Sequence, residues 1–400
     1  MTPLNAIGSL NMQRKCPCCD SAGVSHLYTN NLERLDGLNM SYKIGACNTC
    51  EFIFAYHLPS HDTYARYYSE LSKYDFQDSD YKETRTDRLR SSAALRLTHR
   101  HLSSDSIIVD IGCGIGYLLS CFSKCGFMGV FGVDPGASSP ASASQCFGLN
   151  SIYTGVLSNA KELVPLSDAT LVTLTGVLEH LWDLRGDLLT LKNAMRPGSY
   201  LLIEVPALER FDASEDEPYG EFSLEHIQFF SAKSLDNMLG TVGFEKITSE
   251  IIGLPIGTAD SLFALYQLTG SEATKDLSFT ANDDLESSLV IKRYIAGSRI
   301  RCSATLDLLP KTDFILYGAG SHTARLLALM SSEQRRCIRL VVDSNPNLIG
   351  KTLGQWEVRD PMCLYQHKDV PIVISSYRSQ GAICRYVRDL WPDNSIVLLY

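Results

Sequence analysis

Short apolar runs bounded by turn residues recur through two thirds of the chain. The first group is Ile107 to Ile111, Val130 to Asp134, the run 171–182 and the run 196–206. A second group follows with Asp313-Phe-Ile-Leu-Tyr, Leu340 to Asp343 and Val370 to Ser376. Runs this short, mostly apolar and without strict alternation, suit parallel strands buried on both faces. Longer segments separate them, so strand and helix alternate from 107 to 206 and predict a doubly wound parallel α/β sheet. The run 171–182 reads as a fourth strand entering a helix, and 196–206 as a turn and a fifth strand. Residues 61–104 read as helical and carry Tyr64, Tyr67, Tyr68, Tyr74 and Tyr81. A polar, acidic stretch at 270–286 reads as a linker, followed by a helix over 286–309 and a second α/β unit. Near the N-terminus, SHLYTN and SYKIGA are strand-like and could pair as hairpins.

These patterns divide the 400 residues into 12–60, 61–270 and 286–400, within the two to four domains that such a length suggests. The apolar fraction of 45% excludes a largely disordered chain. With 36 basic against 45 acidic residues the formal charge is −9, which argues against a broad basic face for nucleic acid or anionic membrane. No apolar run approaches the ~18 residues of a membrane-spanning helix. The opening MTPLNAIGSLNMQRK lacks a basic start and an apolar core, so a cytoplasmic protein is expected. In that setting an odd total of 13 cysteines is expected to be reduced thiols rather than a disulfide framework.

Four of those cysteines are patterned. Cys16 with Cys19, and Cys47 with Cys50, make two C-x2-C pairs separated by 27 residues. Each pair is a tight turn that aims two thiolates at one point, and two pairs make a closed tetrahedral site suited to Zn²⁺ with no open position for catalysis. Cys18 is a competing ligand, and the plain alternative is unmetallated cysteine. No βαβ pattern surrounds either pair, which disfavours a redox dithiol. The expected role is to fold a small lobe.

The chemistry of the central unit is concentrated after its first strand. Gly112, Gly114 and Gly116 allow a ligand close to the backbone before the next helix. The spacing is Asp-x-Gly-x-Gly-x-Gly rather than the dinucleotide fingerprint. Asp110, just before the turn, suits an ammonium group and not a phosphate. Asp134, ending the second strand, suits ribose hydroxyls. A ribose plus an ammonium-bearing tail points to S-adenosylmethionine (SAM). The alternatives are a NAD-binding Rossmann domain or a plain α/β core.

Val-Asp-Ile-Gly-Cys-Gly-Ile-Gly (109–116), Gly-Val-Asp-Pro (132–135) and Val-Leu-Glu-His (177–180) together resemble class I SAM-dependent methyltransferases. The resemblance implies that Gly112, Gly114 and Gly116 line the methionine part of SAM, Asp134 the ribose, and Asp110 the amino group. The segment Tyr219 to Ser231 follows the fifth strand at the sheet's carboxyl edge, where ligands bind. An imidazole can exchange a proton near neutral pH, so His226 is the candidate general base, with Glu225 orienting or charging it. His180 is the rival base, and a buried structural histidine is the plain alternative.

Most of the chain, most strongly 16–54, 107–206 and 219–244, is similar to sugar C-methyltransferases that act on nucleotide-linked deoxy-ketosugars. That resemblance implies a zinc-binding lobe, a SAM domain and a C-terminal Rossmann-like domain. It implies that a Tyr-x-Glu-His segment supplies the base that makes a carbanion next to a ketone. Glu225 and His226 match its last two positions, whereas Ser223 replaces the tyrosine, with Tyr219 a partial substitute if the loop folds back. O- or N-methylation would need only one base. In the C-terminal unit Gly318 and Gly320 begin a G-x-G-x-x-G turn with Thr323 at the third glycine, and Asp343 stands at the ribose-acid position. A dinucleotide site, a purely structural domain and an acceptor-holding domain are all open; the resemblance favours the last, with Ser321, His322, Tyr377 and Arg378 as candidate contacts. The expectation is methyl transfer to a small polar acceptor, a nucleotide sugar, by a chain binding neither nucleic acid nor membrane. Another natural-product acceptor, a NAD-linked oxidoreductase and an inactive scaffold are the alternatives, and the oligomeric state is open.

Overall fold

A computed structural model describes residues 12–71, 81–214, 217–255, 258–270 and 285–400. The N-terminal lobe is an antiparallel sheet of β1 (Met12–Gln13), β2 (Val24–Asn30), β3 (Tyr42–Cys47) and β4 (Ile53–Leu58), in the order β1-β4-β3-β2. The expected hairpin strands are β2 and β3, paired antiparallel from Val24↔Cys47 to Asn30↔Tyr42. Within 61–104, expected to be helical, the described residues form two helices, α1 (His61–Glu70) and α2 (Arg85–Thr98). Each has its own start signal. Ser60 accepts from the Thr63 N–H, and Thr84 with Asp87 forms a capping box. Tyr74 and most of the expected 270–286 linker lie outside the described residues.

The central unit runs β5 (Ile107–Ile111), α3 (Tyr117–Lys124), β6 (Gly129–Asp134), α4 (Ser139–Phe147), β7 (Ile152–Thr154), α5 (Ala160–Leu163), β8 (Leu171–Thr175), α6 (Leu184–Ala194) and β9 (Tyr200–Pro206). It continues with β10 (Gln228–Phe229), α7 (Ala232–Thr241), β11 (Phe244–Ile252) and β12 (Ser261–Leu268). Its seven-stranded sheet has the order β11-β12-β9-β8-β5-β6-β7. The strands β5 to β9 of that sheet are parallel, as expected, while β12 runs antiparallel to β9 and pairs antiparallel with β11 at the edge. Strand order reverses between β5 and β8, which places a crevice at their carboxyl ends. The run 171–182 leaves its strand through a single 3₁₀ turn, Leu178–His180, before α6.

The C-terminal unit has α8 (Leu285–Asp307), β13 (Phe314–Tyr317), α9 (Ser321–Leu329), α10 (Ser332–Arg336), β14 (Ile338–Val342), β15 (Thr352–Leu353), β16 (Trp356–Arg359), β17 (Ile372–Ile374), α11 (Gln380–Leu390) and β18 (Ile396–Leu398). Its sheet order is β15-β16-β14-β13-β17-β18, parallel except for β15. A second Rossmann-like domain is therefore present.

Residues 208–214 and 217–230 bind the three units together. From this segment β10 adds to the N-terminal sheet by pairing with β4. Phe211, Phe222 and Phe229 share one buried cluster with Tyr42 and Ile44 of the lobe and with Ala324 and Leu327 of α9. The fully buried Arg325 of α9 donates to the Phe222 and Pro218 carbonyls and to Asn30 Oδ1, and Asn30 in turn donates to the Phe222 carbonyl at 2.9 Å. Arg14 acts likewise on the other side, donating to the carbonyls of Ala55 and Trp182, both at 2.8 Å, and to Gln228. A charged donor buried against carbonyls holds the segment in one geometry, because any shift leaves an unsatisfied charge.

Candidate functional site

The glycine turn follows β5 directly. Gly112, Gly114 and Gly116 all have positive φ (77°, 52° and 81°), a conformation that costs non-glycine residues energy. At Gly112 a Cβ would also meet Val177 Cγ2 at 2.5 Å. The turn thus brings bare backbone to the crevice and ends at the start of α3. Asp134, at the carboxyl end of β6, accepts from the N–H of Gly114 and of Gly136 and from the Ser139 hydroxyl, each at 2.8 Å. Its carboxylate therefore closes one side of the turn. Asp110 is buried beneath the turn and accepts from Thr173 Oγ1 at 2.6 Å. Burial pushes it up to about 7, the Thr173 hydrogen bond opposing the rise.

Further acid groups stand at the same sheet edge. Glu204 on β9 pairs with Arg90 of α2 and accepts from Ser261. Glu179 lies in the 3₁₀ turn after β8, buried, and burial followed by repulsion from Glu204 pushes it up to about 8. Arg90 and Glu204 are 114 residues apart, so neither suggests the other in the sequence.

The candidate base arrives on the segment after β9. Ser223 Oγ accepts from the N–H groups of Glu225 and His226, at 3.2 and 3.0 Å, and so shapes the turn that presents His226. The next residue fastens this turn to the sheet edge, with Ile227 N–H donating to the Glu179 carbonyl at 2.9 Å. His226 meets His180 edge to face, ring centroids 4.9 Å apart, and His180 Nε2 is 3.8 Å from Glu179 Oε1. The two candidate bases are therefore neighbours. Glu225 points elsewhere. It is buried and accepts from the Tyr67 hydroxyl of α1 at 2.9 Å, near Tyr64. Tyr219 stacks on Tyr28 at 4.9 Å under Arg325, in the junction between units. A fold-back toward His226 is not the arrangement seen.

A family model of a methyltransferase domain matches residues 81–249. A protein of Mycolicibacterium smegmatis, described as a "Probable S-adenosylmethionine-dependent methyltransferase", is 30% identical over 152 residues, 38% of this chain and 55% of that protein. This chain thus spans about half the length of the curated relative it matches. The Burkholderia thailandensis 1,6-didemethyltoxoflavin N1-methyltransferase is 19% identical, with a TM-score of 0.37 over 52% of this chain and 86% of the other. The Bradyrhizobium japonicum N-methyltransferase NodS is 15% identical, with a TM-score of 0.38 over 51% and 97%. Residues 81–249 are a SAM-dependent methyltransferase domain.

The methyltransferase domain is flanked by a sulfur cluster in the lobe. Sγ of Cys16 and Cys50, and of Cys19 and Cys47, are 3.5 Å apart, and all four lie within 4.8 Å of one another. These separations exceed a disulfide and approach the ~3.8 Å edge of a tetrahedron with 2.3 Å metal–sulfur bonds. The two knuckles match in backbone: Asp20 and Glu51, each following its pair, are left-handed at 60° and 61°, and their N–H groups return to the Cys16 and Cys47 carbonyls. Cys18 is buried in the core outside the four-sulfur group, and Arg185 donates to its carbonyl at 3.0 Å.

Beyond the methyltransferase domain, the C-terminal turn repeats one device. Asp343 accepts from the N–H of Ala319 at 2.6 Å and of Asn345 at 2.8 Å. Thr323, in place of the third glycine, bonds Ser375 at 2.8 Å across the strand ends. His322 is buried, with Nε2 2.6 Å from the Tyr400 hydroxyl, whereas Arg378 is exposed. Among the described residues no helix is long and apolar enough to cross a membrane.

Proposed function

We propose that this protein transfers the methyl group of SAM to a small polar acceptor, a nucleotide-linked sugar, with His226 as the general base. The observation that carries the reading is the glycine turn with Asp134 at the switch point, on whose rim the Ser223 turn presents His226. The residues fit the cofactor: three left-handed glycines leave the cradle open, Asp134 closes it at the ribose position, and Asp110 lies below the amino-group position. SAM supplies a sulfonium leaving group. The protein's share is to hold the acceptor in line and remove its proton. His226 Nδ1 or Nε2 would take that proton, freeing the acceptor atom's electron pair to bond the methyl carbon. Glu225, held by Tyr67, fixes the loop, and His180 is the imidazole beside His226. The nucleotide sugar rests on the sequence resemblance. In the lobe, Cys16, Cys19, Cys47 and Cys50 would hold a structural Zn²⁺, supported by their spacing, matched knuckles and all-sulfur donor set.

Labelled SAM with a panel of nucleotide sugars and other natural-product acceptors tests the reading. His226→Ala is expected to lose about 10²- to 10⁴-fold in turnover while binding S-adenosylhomocysteine as the parent does. Unchanged turnover would remove His226 from the mechanism. Binding of NAD but not SAM would favour an oxidoreductase.

A further inference from the structure

We propose that Glu179, His180 and His226 form a binding site for a divalent transition-metal cation, separate from the four-cysteine cluster. Each offers one donor atom, and the three atoms lie within 4.8 Å of one another. Within that group His180 Nε2 and Glu179 Oε1 are 3.8 Å apart, and the two imidazoles meet at 74° with centroids 4.9 Å apart. Ligands on a small ion with 2.0–2.1 Å bonds sit about 3.3 Å apart, so side-chain rotation of well under a turn closes the set.

An independent observation points the same way. Glu179 is buried, and its Oε2 has no hydrogen-bond partner among the described residues. A buried carboxyl oxygen without a partner is costly, and a cation that displaces the proton supplies what the protein does not. The surrounding field favours positive charge, since Glu204 and Glu221 both act on Glu179, and Arg90 is the neighbouring cation. Local structure also holds the donors in place. Glu179 and His180 share the 3₁₀ turn after β8, His226 is set by the Ser223 turn, and the two segments are joined by the bond from Ile227 N–H to the Glu179 carbonyl. Two imidazoles and a carboxylate are borderline donors that suit Zn²⁺, Co²⁺, Fe²⁺ or Mn²⁺ rather than Ca²⁺. Three protein ligands leave a coordination position open, in contrast to the closed four-sulfur set.

The site itself goes beyond the methyl-transfer reading, while its effect on turnover rests on that reading. A cation on His226 takes the lone pair with which the imidazole would accept the acceptor's proton. Metal and proton then compete for one nitrogen, and the bound ion silences the base.

The test uses the full chain with its cysteine site saturated by Zn²⁺, titrated with Co²⁺. One further Co²⁺ per chain is expected, with visible d–d bands and no sulfur-to-metal charge-transfer band. His180→Asn and Glu179→Gln are each expected to weaken that Co²⁺ at least tenfold. The charge-transfer band of a Co²⁺-substituted cysteine site, unchanged in both variants, reports that they fold. No second ion, or parental affinity in both variants, overturns the site. Co²⁺ that binds here and halts methyl transfer supports site and base together. Co²⁺ that binds here while turnover continues upholds the site and overturns His226 as base.

Discussion

The chain contains two glycine turns built on the same plan. In each, a strand runs into glycines, and an aspartate ending the next strand accepts an N–H from the turn: Gly114 to Asp134 in the methyltransferase domain, Ala319 to Asp343 in the C-terminal one. What lies around the plan differs. The first turn has three left-handed glycines, the second only Gly318, while Gly320 sits at an ordinary φ of −80°. The first turn rests on the buried Asp110, whereas Leu316 occupies the equivalent place in the second. Acid groups and two histidines stand at the first sheet edge. The second has Thr323 bonded to Ser375 where a third glycine would admit a ligand. A shared strand–turn–acid scaffold is thus compatible with different work, and the groups beneath and beside the turn decide the chemistry.

The contrast can be broken by substitution. The largest effect is expected at Arg325→Met, which strips charged donors from the Phe222 and Pro218 carbonyls. Stability should fall by about 3 kcal/mol, read in denaturant melts, with S-adenosylhomocysteine affinity retained. A loss of affinity with unchanged stability would instead make the C-terminal unit part of the cofactor site. Next is Gly112→Ala, where positive φ and the Val177 contact predict about 1–3 kcal/mol of destabilisation and loss of cofactor binding. Asp110→Asn isolates the buried acid. Its carboxyl is raised to about 7, so the folded state keeps a proton that the unfolded chain releases above about 4. The parent should therefore lose stability as pH rises through that window, and the variant should lose less. Equal slopes would show that Asp110 does not titrate as its burial implies. The smallest effect belongs to Gly320→Ala, where a Cβ meets nothing within 4 Å, and stability should change by under about 0.5 kcal/mol.

Much of the fold was legible because buried parallel strands are written as mostly apolar runs: β5, β8, β9, β13 and β17 fall inside the runs read from the sequence, and β6 and β14 begin one and two residues before theirs. The edge hairpin of β11 and β12 was not anticipated, although Ser261–Leu268 is an apolar run in plain view. It lies past the last strand–helix alternation and pairs antiparallel. The break between α1 and α2 was signalled by Thr84 and Asp87, whose capping pattern the tyrosine-rich stretch obscured. At the site, Gly112, Gly114, Gly116 and Asp134 were readable because their spacing is local. Contacts between distant segments were not. Glu225 finds Tyr67 across 158 residues, and His226 finds His180 and Glu179 rather than the glutamate beside it in sequence. Backbone turns decide such pairings, here the Ser223 turn that sends neighbouring side chains to different partners.

The central claim is that the first turn, and not the second, holds the methyl donor. Calorimetry with S-adenosylhomocysteine on the parent, Asp134→Ala and Asp343→Ala tests it most directly. The parent and Asp343→Ala should bind alike and Asp134→Ala at least tenfold more weakly. Absence of binding in the parent, or weakening confined to Asp343→Ala, would contradict it.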